Sequence, residues 1–280
     1  MRLINLAGRA HLQTDNGAID IAQVSDGKFG PDPQSLFADW KAFAAWGEDA
    51  DTSSATPFDV QALGPPVPAP RQVFAIGLNY SEHALEAGFA VPETLPPVFT
   101  KFASALTGPE GELVLSGESV DWEVELVAVI GTEASQVKAE DALSYVAGVT
   151  VGQDFSDRAV QMIGPAPQFS MGKSFPGYGP TGPALVTLDE VGDLSSLRLQ
   201  CWVDGELVQD GIAGQMINSL PLLVERLSAI CTLHPGDLIF TGTPAGVGMG
   251  RTPARYLTAG EVVRTEISGL GSMTHRCVSL

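Results

Sequence analysis

Two glutamates separated by a single residue are the first feature of this 280-residue sequence that could do chemistry. Glu123 and Glu125 belong to residues 121–131 (D-W-E-V-E-L-V-A-V-I-G), whose β-branched and aliphatic composition predicts a buried strand. Residues two apart in a strand face the same side, so the two carboxylates lie side by side. A bound magnesium, calcium or manganese ion would offset the cost of burying both charges. The alternative is a solvated pair on the open face of an antiparallel sheet.

Other polar residues stand in loops or where predicted strands end. His83 and Glu86 are three apart on a predicted short helix and are therefore neighbours on one face. Asp154 follows an apolar strand predicted over residues 146–151. The remaining candidates are Lys101, Arg158, Gln161, Lys173, Gly242 and Thr243. Taken singly, each has a simpler interpretation, since a histidine beside a glutamate on a helix is usually a surface pair.

Composition and short motifs argue against several classes of protein. The formal net charge of −18 disfavours nucleic acid or an anionic membrane as a partner. No apolar run reaches the length of a membrane span, and the first residues lack the pattern of a signal peptide. Three widely spaced cysteines favour a reducing cytoplasm. The Gly172-Lys173-Ser174 sequence is not a P-loop, because Pro167 stands where that motif needs glycine.

A proline-rich connector suggests two domains. Residues 64–70 (G-P-P-V-P-A-P) hold four prolines in seven residues, which predicts a stiff, extended link. Before it, residues 2–6 and 18–24 predict a hairpin, and residues 36–46 predict a short helix. We therefore expect a small N-terminal α+β domain over residues 1–66 and a catalytic domain over residues 67–280.

The second block is dominated by strand patterns. Short apolar segments recur between turns, and D-G at Asp204-Gly205 marks a hairpin. One long helical pattern is present, over residues 217–230. These patterns predict a mostly β (α+β) fold, a mixed roll or barrel-like sandwich.

Five stretches, in this order, make the sequence resemble the fumarylacetoacetate hydrolase family. They are G-L-N-Y-S-E-H-A-L-E (77–86), D-W-E-V-E-L-V-A-V-I-G (121–131), V-G-Q-D-F-S-D-R-A-V-Q (151–161), G-K-S-F (172–175) and H-P-G-D-L-I-F-T-G-T-P-A-G-V-G (234–248). The resemblance extends from residue 73 to the C-terminus. It implies a mixed β-roll, a small N-terminal domain, a homodimer, and a magnesium or manganese site.

The resemblance also implies a role for each candidate residue. The metal ligands fall on Glu123, Glu125 and Asp154. The catalytic residues fall on Lys173 and on the pair His83 and Glu86, which the family carries on a lid that orders when ligand binds. The substrate-binding positions are Lys101, Arg158, Gln161, Gly242 and Thr243.

The sequence departs from the family pattern at three places near these motifs. Pro176 stands where aspartate is common, Gln153 where asparagine is usual, and Asn218 where an aromatic residue is frequent. These departures spare the metal ligands and the His83–Glu86 pair.

Together these residues suggest a metal-dependent hydrolase that cleaves a C–C bond in a 2,4-dioxo, acylpyruvate-type acid to give pyruvate and a carboxylic acid. His83, oriented by Glu86, would activate a water that attacks the second carbonyl. The pyruvate enolate that leaves would be stabilised by the metal and Lys173. Two other activities use the same enolate: decarboxylation of a 2-oxo acid such as oxaloacetate, and isomerisation of an unsaturated 2-oxo acid. An alternative of another class is a non-catalytic, metal-stabilised binding protein.

Overall fold

A computed structural model describes residues 1–92, 94 and 96–280 of the chain. Glu93 and Leu95 lie outside the described residues, and both belong to the proline-bearing loop that follows the predicted lid helix. The strands are Arg2–Leu6 (β1), Arg9–Thr14 (β2), Gly17–Asp20 (β3), Leu63–Gly64 (β4), Val73–Ile76 (β5), Val98–Thr100 (β6), Leu106–Thr107 (β7), Glu110–Leu115 (β8), Val120–Asp121 (β9), Val124–Ile130 (β10), Val146–Gln153 (β11), Ser156–Asp157 (β12), Gly179–Val186 (β13), Arg198–Val203 (β14), Glu206–Ile212 (β15), Leu238–Phe240 (β16), Val262–Ile267 (β17) and Gly271–Ser279 (β18).

Short helices connect these strands. The α-helices are Ile21–Val24 (α1), Trp40–Glu48 (α2), Ser81–Glu86 (α3), Arg158–Gln161 (α4), Phe169–Gly172 (α5), Leu188–Val191 (α6) and Leu220–Ser228 (α7). The 3-10 helices are Pro33–Asp39, Val60–Ala62, Ala103–Ala105, Ala142–Tyr145, Leu194–Ser196, Ala213–Gln215 and Gly248–Gly250. In the described part of the chain, no helix is both long enough and apolar enough to cross a membrane.

Two large sheets organise the described residues. One has the strand order β3-β2-β1-β13-β11-β10-β16-β5-β6, with β4 paired to β1 and β7 paired to β13. The other has the order β15-β14-β17-β18-β8, and β9 pairs with β12 in a separate short ladder. The mostly β, sandwich-like fold predicted from the sequence is confirmed, and no barrel closes within the described residues.

Strand β10 lies in the interior of the larger sheet, and all of its residues are buried. Its neighbours are antiparallel β11 and β16. One face, which includes Leu126, packs in the core that also contains residues of β14 and β17. The opposite face, which includes Val127 and Val129, packs with Trp40 and Phe43 of α2. Each fully buried side chain of this type contributes about 1.5–3 kcal/mol to folding, so the strand is held firmly from both sides.

The N-terminal strands continue the larger sheet. Strand β1 pairs with β2 and also with β13, so residues before and after the proline-rich connector share one sheet. The predicted hairpin between residues 2–6 and 18–24 is wrong: β2 lies between its two arms, and the second arm ends as β3 followed by α1. The division at residue 66 stays a prediction, and such a boundary would cut across a continuous sheet.

Candidate active site

Three carboxylates converge where β10 begins and β11 ends. Glu123 directly precedes β10, Glu125 lies within it, and Asp154 directly follows β11. Because the two strands are antiparallel neighbours, Val124 pairs with Gln153 and the N–H of Asp154 donates to the carbonyl of Glu123 at 2.9 Å. One oxygen from each carboxylate lies within 4.8 Å of the others, and all three side chains are buried. The predicted triad is thus brought together.

Three cationic side chains surround the triad. The ammonium of Lys173 bridges Glu123 and Asp154, at 2.7 Å and 2.8 Å. The ammonium of Lys101 donates to the other oxygen of Asp154 and to the carbonyl of Lys173. The Arg158 guanidinium lies 2.7 Å from the remaining oxygen of Glu123. Both oxygens of Glu123 and of Asp154 therefore have a cationic partner.

These contacts set the protonation states of the paired groups. Burial opposes the charge of Glu123, but the Lys173 ammonium and the Arg158 guanidinium outweigh it and lower the pKa of this carboxyl to about 2. Burial also opposes the charge of Lys173, yet Asp154 and Glu123 raise the pKa of its ammonium. For Lys101, burial dominates over Asp154 and lowers the pKa.

Glu125 has a different environment. Among the described residues no lysine, arginine or histidine forms an ion pair with it, and its Oε2 accepts a hydrogen bond from the Gly242 N–H at 2.8 Å. Burial, followed by the charges of Asp154 and Glu123, raises the pKa of its carboxyl well above the usual range. Gly242 approaches this closely because it has a φ of +97° and a Cβ there would lie 2.7 Å from the Cβ of Asn79.

His83 and Glu86 form the predicted pair on α3. The Nδ1 of His83 lies 2.9 Å from Oε1 of Glu86, as expected for residues three apart on a helix. The Glu86 carboxylate also accepts the N–H of Gly246, at 2.9 Å and 3.1 Å to its two oxygens. Glu86 thus orients the imidazole and fastens α3 to the glycine-rich loop that follows β16.

A cavity of about 100 Å³ lies beside the triad. Six of the residues predicted for the site line it: His83, Glu123, Arg158, Gln161, Lys173 and Thr243. Lys101 and Gly242 are outside this lining and instead contact Asp154 and Glu125, while the hydroxyl of Thr243 donates to the carbonyl of Val124. The substrate-binding roles of these three residues stay predictions, and their contacts favour a supporting role.

Three residues that support the site were not identified from the sequence. Gln209, on the smaller sheet, accepts the N–H of Val124 at 2.9 Å and donates to Thr243 Oγ1 at 2.7 Å. Gln153 accepts the N–H of Glu123 at 2.8 Å. Asp121 accepts from Nε of Arg158 and from the N–H groups of residues 248 and 249. Gln153 and Gln209 thus fix the backbone at Glu123 and Val124, and Asp121 joins Arg158 to residues 248 and 249.

The donor set fits a divalent metal of the magnesium or manganese type. Carboxylate oxygens are the ligands that these hard cations prefer. Four buried carboxyl groups, Asp121 and the triad, face three cationic side chains, Lys101, Arg158 and Lys173, and Glu125 is the carboxyl group left without a cationic counterpart. A divalent ion held by Glu123, Glu125 and Asp154 would supply the missing positive charge and would favour the ionised form of Glu125.

Comparison with known proteins found a matching family model and several similar chains. The fumarylacetoacetate hydrolase C-terminal family model matches residues 72–278. The human mitochondrial oxaloacetate tautomerase FAHD2A is 44% identical over 215 residues, which cover 76% of this chain and 68% of that protein. A crystallised protein from Mycobacterium smegmatis is 49% identical, with a TM-score of 0.95 over 100% of this chain and 99% of that one. Fumarylpyruvate hydrolase from Pseudomonas aeruginosa, crystallised with Mn²⁺ and pyruvate, is 34% identical, with a TM-score of 0.69 over 75% of this chain and 91% of that one.

These relatives agree with the cofactor and the kind of activity predicted from the sequence. A structure with the same fold holds a manganese ion, as expected for the carboxylate triad. Hydrolysis of an acylpyruvate-type acid is one activity found among the relatives, and tautomerisation of a 2-oxo acid is another.

Proposed function

Because this chain belongs to the fumarylacetoacetate hydrolase family, we propose that it is a divalent-metal-dependent enzyme that moves a proton at C3 of a 2-oxo acid, interconverting its keto and enol forms. One observation carries the proposal. An imidazole held by a carboxylate, His83 with Glu86, lines the same small cavity as Glu123 of the carboxylate triad. A base and a site for a cation thus lie at the same cavity and could act on one bound substrate.

The charges of the site suit an anionic substrate. A divalent cation held by Glu123, Glu125 and Asp154 would supply positive charge for an anionic acid and would make its C3 proton more acidic. With all four carboxyl groups ionised, the three cationic side chains and such an ion would leave one positive charge in excess. A single substrate carboxylate neutralises it, which favours a 2-oxo acid over a neutral ketone.

His83 is the residue that moves the proton. Its Nδ1–H donates to Glu86, which leaves Nε2 as the basic nitrogen of the neutral ring. In the direction keto to enol, Nε2 takes the proton from C3, and the electron pair of that C–H bond forms the C2–C3 double bond. The protonated imidazole then releases one proton to solvent and the 2-oxygen takes one up from solvent, so the two forms differ only in where one proton lies.

Lys173 and Arg158 have separate roles. An ammonium has three N–H donors, and among the described residues Lys173 donates to Glu123 and Asp154, so a third donor remains to bind the 2-oxygen as negative charge develops there. Arg158 fixes Glu123 and, through Gln161 Oε1 at 2.9 Å, the neighbouring wall of the cavity.

Hydrolysis of a C–C bond in a 2,4-dioxo acid is the second candidate. It needs the same enolate and adds a water that His83 would activate, as expected from the sequence. The fumarylpyruvate hydrolase relative favours it, at 34% identity. Keto–enol interconversion is preferred because the tautomerase relative is 44% identical.

The test is exchange of the C3 protons of pyruvate for deuterium in D₂O, followed by proton NMR with Mg²⁺ or Mn²⁺ present. We expect exchange well above that of the metal alone, and a loss of about 10²- to 10⁴-fold in His83→Asn, the usual contribution of a positioned general base. Glu82→Gln, on an exposed residue of the same helix, is the matched control and should exchange at the wild-type rate.

Parallel assays separate the alternatives. Release of pyruvate from acetylpyruvate without C3 exchange would replace the proposal by the hydrolase. Conversion of oxaloacetate to pyruvate alone would favour the decarboxylase. Metal binding with none of these activities would leave the non-catalytic alternative. The homodimer and the cytoplasmic location expected from the sequence stay predictions.

A further inference from the structure

The residues that line the cavity beside the triad are of two chemical kinds. The polar ones include His83, Lys173 and Arg158, and the last two contact the carboxylates. Apolar side chains form most of the remaining wall, and they include Phe89, Phe99, Met162, Phe169 and Met249. A 2-oxo acid whose carboxylate and 2-oxygen occupy the polar groups leaves mostly apolar side chains of the lining for the group beyond C3.

The two cationic side chains that line the cavity, Lys173 and Arg158, already contact protein carboxylates. Arg158 donates through Nε to Asp121 at 2.8 Å, through Nη1 to Gln161 at 2.9 Å, and places Nη2 within 2.8 Å of both Asp121 and Glu123. Lys173 contacts two carboxylates and lies 5.3 Å above the Phe99 ring. Among the described residues that line the cavity, no further lysine or arginine remains to meet a second substrate carboxylate.

Resting on the proposed function, we infer that the group beyond C3 of the substrate is small, uncharged and apolar. A second carboxylate would lose its hydration against aromatic and thioether side chains without gaining a cation, which is strongly unfavourable. An alkyl group in the same place would instead lose apolar surface to the protein, which is favourable. The cavity of about 100 Å³ must also hold the 2-oxo acid core, which leaves little room for this group.

Two acids of nearly the same shape test the inference. In 4-methyl-2-oxopentanoate an isopropyl group replaces the distal carboxylate of oxaloacetate, and the rest of the molecule is unchanged. We expect isothermal titration of the Mn²⁺-loaded protein to give a dissociation constant at least tenfold lower for 4-methyl-2-oxopentanoate. Equal affinities, or tighter binding of oxaloacetate, would overturn the inference.

A pair of neighbouring substitutions locates the effect in the apolar wall. Met162 lines the cavity and is 50% exposed, whereas Ile163 is 62% exposed and is not part of the lining, so both positions should accept lysine without loss of folding. Met162→Lys supplies the missing cation and should shift the preference toward oxaloacetate by about tenfold or more. Ile163→Lys adds the same charge next to it and should leave the ratio of the two constants unchanged. A shift of the same size in both variants would mean that long-range charge sets the preference, and would contradict the inference.

Pyruvate separates this test from that of the proposed function, because it has no group beyond C3. If neither pyruvate nor either longer acid binds the Mn²⁺-loaded protein, the proposed function fails and the inference fails with it. If pyruvate binds and oxaloacetate binds more tightly than its isopropyl counterpart, the inference alone is wrong.

Discussion

Glu123 and Glu125 are the same residue type, two positions apart, and yet their substitution by glutamine should have opposite effects on stability. Glu123→Gln leaves Arg158 and Lys173 short of a buried carboxylate, which should lower the free energy of unfolding by about 3–5 kcal/mol. Glu125→Gln removes the carboxylate that has no cationic partner and keeps an oxygen for the Gly242 N–H. It should raise the free energy of unfolding by about 1 kcal/mol.

Urea denaturation of the metal-free variants measures these changes in stability. Titration with Mn²⁺ measures the change in affinity for the ion. Both variants should bind Mn²⁺ at least about tenfold more weakly, since each removes a charged ligand oxygen. Glu118→Gln, on an exposed residue shortly before β9, is the control and should alter neither quantity. A stability loss in Glu125→Gln as large as that in Glu123→Gln would show that the Glu125 carboxyl group stabilises the metal-free protein, and would contradict this prediction.

The buried His275 should make stability fall in mild acid. Burial lowers the pKa of its ring to about 4, from an ordinary value of 6.5, although Nε2 lies 3.1 Å from the carbonyl of Gly108. Between these values the unfolded chain binds the proton and the folded protein does not. The contribution of His275 is therefore complete above about pH 6.5, declines as the pH falls toward 4, and stays constant below that.

Guanidinium denaturation at pH 7.5 and pH 5.0 measures this loss. Over that interval the wild type should lose about 2 kcal/mol more than His275→Gln, which keeps a donor for Gly108 but does not titrate. The difference between the two proteins removes the contribution of the carboxylates, which both share. The same pH dependence in both proteins would show that His275 is not responsible.

The side chains that converge at the candidate site could be predicted from the sequence, and those that hold them in place could not. Glu123, Glu125, Asp154, His83 and Lys173 stand in recognisable motifs and do converge in the structure. A supporting amide such as Gln209 comes from the other sheet, 85 residues from the Val124 N–H that it accepts. Nothing in its local sequence differs from an ordinary strand position, so only the tertiary structure identifies it.

At the scale of the elements, the loop after β16 depends on Gly242. Gly242→Ala would place a Cβ 2.7 Å from that of Asn79, at a φ of +97°, and would displace the N–H that Glu125 accepts. We expect a loss of stability of about 2–4 kcal/mol and weaker Mn²⁺ binding. Gly260 is the matched control: its φ of +99° is almost the same, and nothing lies within 4 Å of an added Cβ.

Gly260→Ala should therefore cost only the backbone strain, about 1 kcal/mol, and leave Mn²⁺ binding unchanged. Thermal denaturation and Mn²⁺ titration of the two variants give the comparison. Equal effects in both would mean that backbone conformation alone, and not the contact with Asn79, determines the role of Gly242.

Strand and helix boundaries were predicted less well than strand existence. The apolar pattern located β10 and β11, because strands buried on both faces have continuous apolar residues. The helix predicted over residues 217–230 is shorter, since α7 begins at Leu220 and ends at Ser228. Strand β2 was missed because its polar residues alternate without a strong apolar face, and its pairing with β1 and β3 supplies the stability that the pattern lacks.

At the scale of the whole molecule, the N-terminal residues are built into the sheet that carries the site. Strand β1 pairs with β13, and Trp40 packs in the same core as Val127 and Val129 of β10. A Cβ on Gly131, at the end of β10, would lie 2.7 Å from Cδ1 of Trp40, which shows how closely α2 approaches that strand. Residues 1–66 should thus unfold together with β10 and β11, where the carboxylate triad lies.

Hydrogen exchange on the full chain, with and without Mn²⁺, tests whether residues 1–66 unfold together with the site. Mn²⁺ at about 100 times its dissociation constant stabilises any unit that contains the site by about 2.7 kcal/mol. If the molecule unfolds as one unit, amides of β1 and β2 should gain this full amount, as should those of β11 next to Glu125. Protection that rises in β11 and stays constant in β1 would establish residues 1–66 as an independent domain, because a unit that unfolds separately gains nothing from an ion it does not hold.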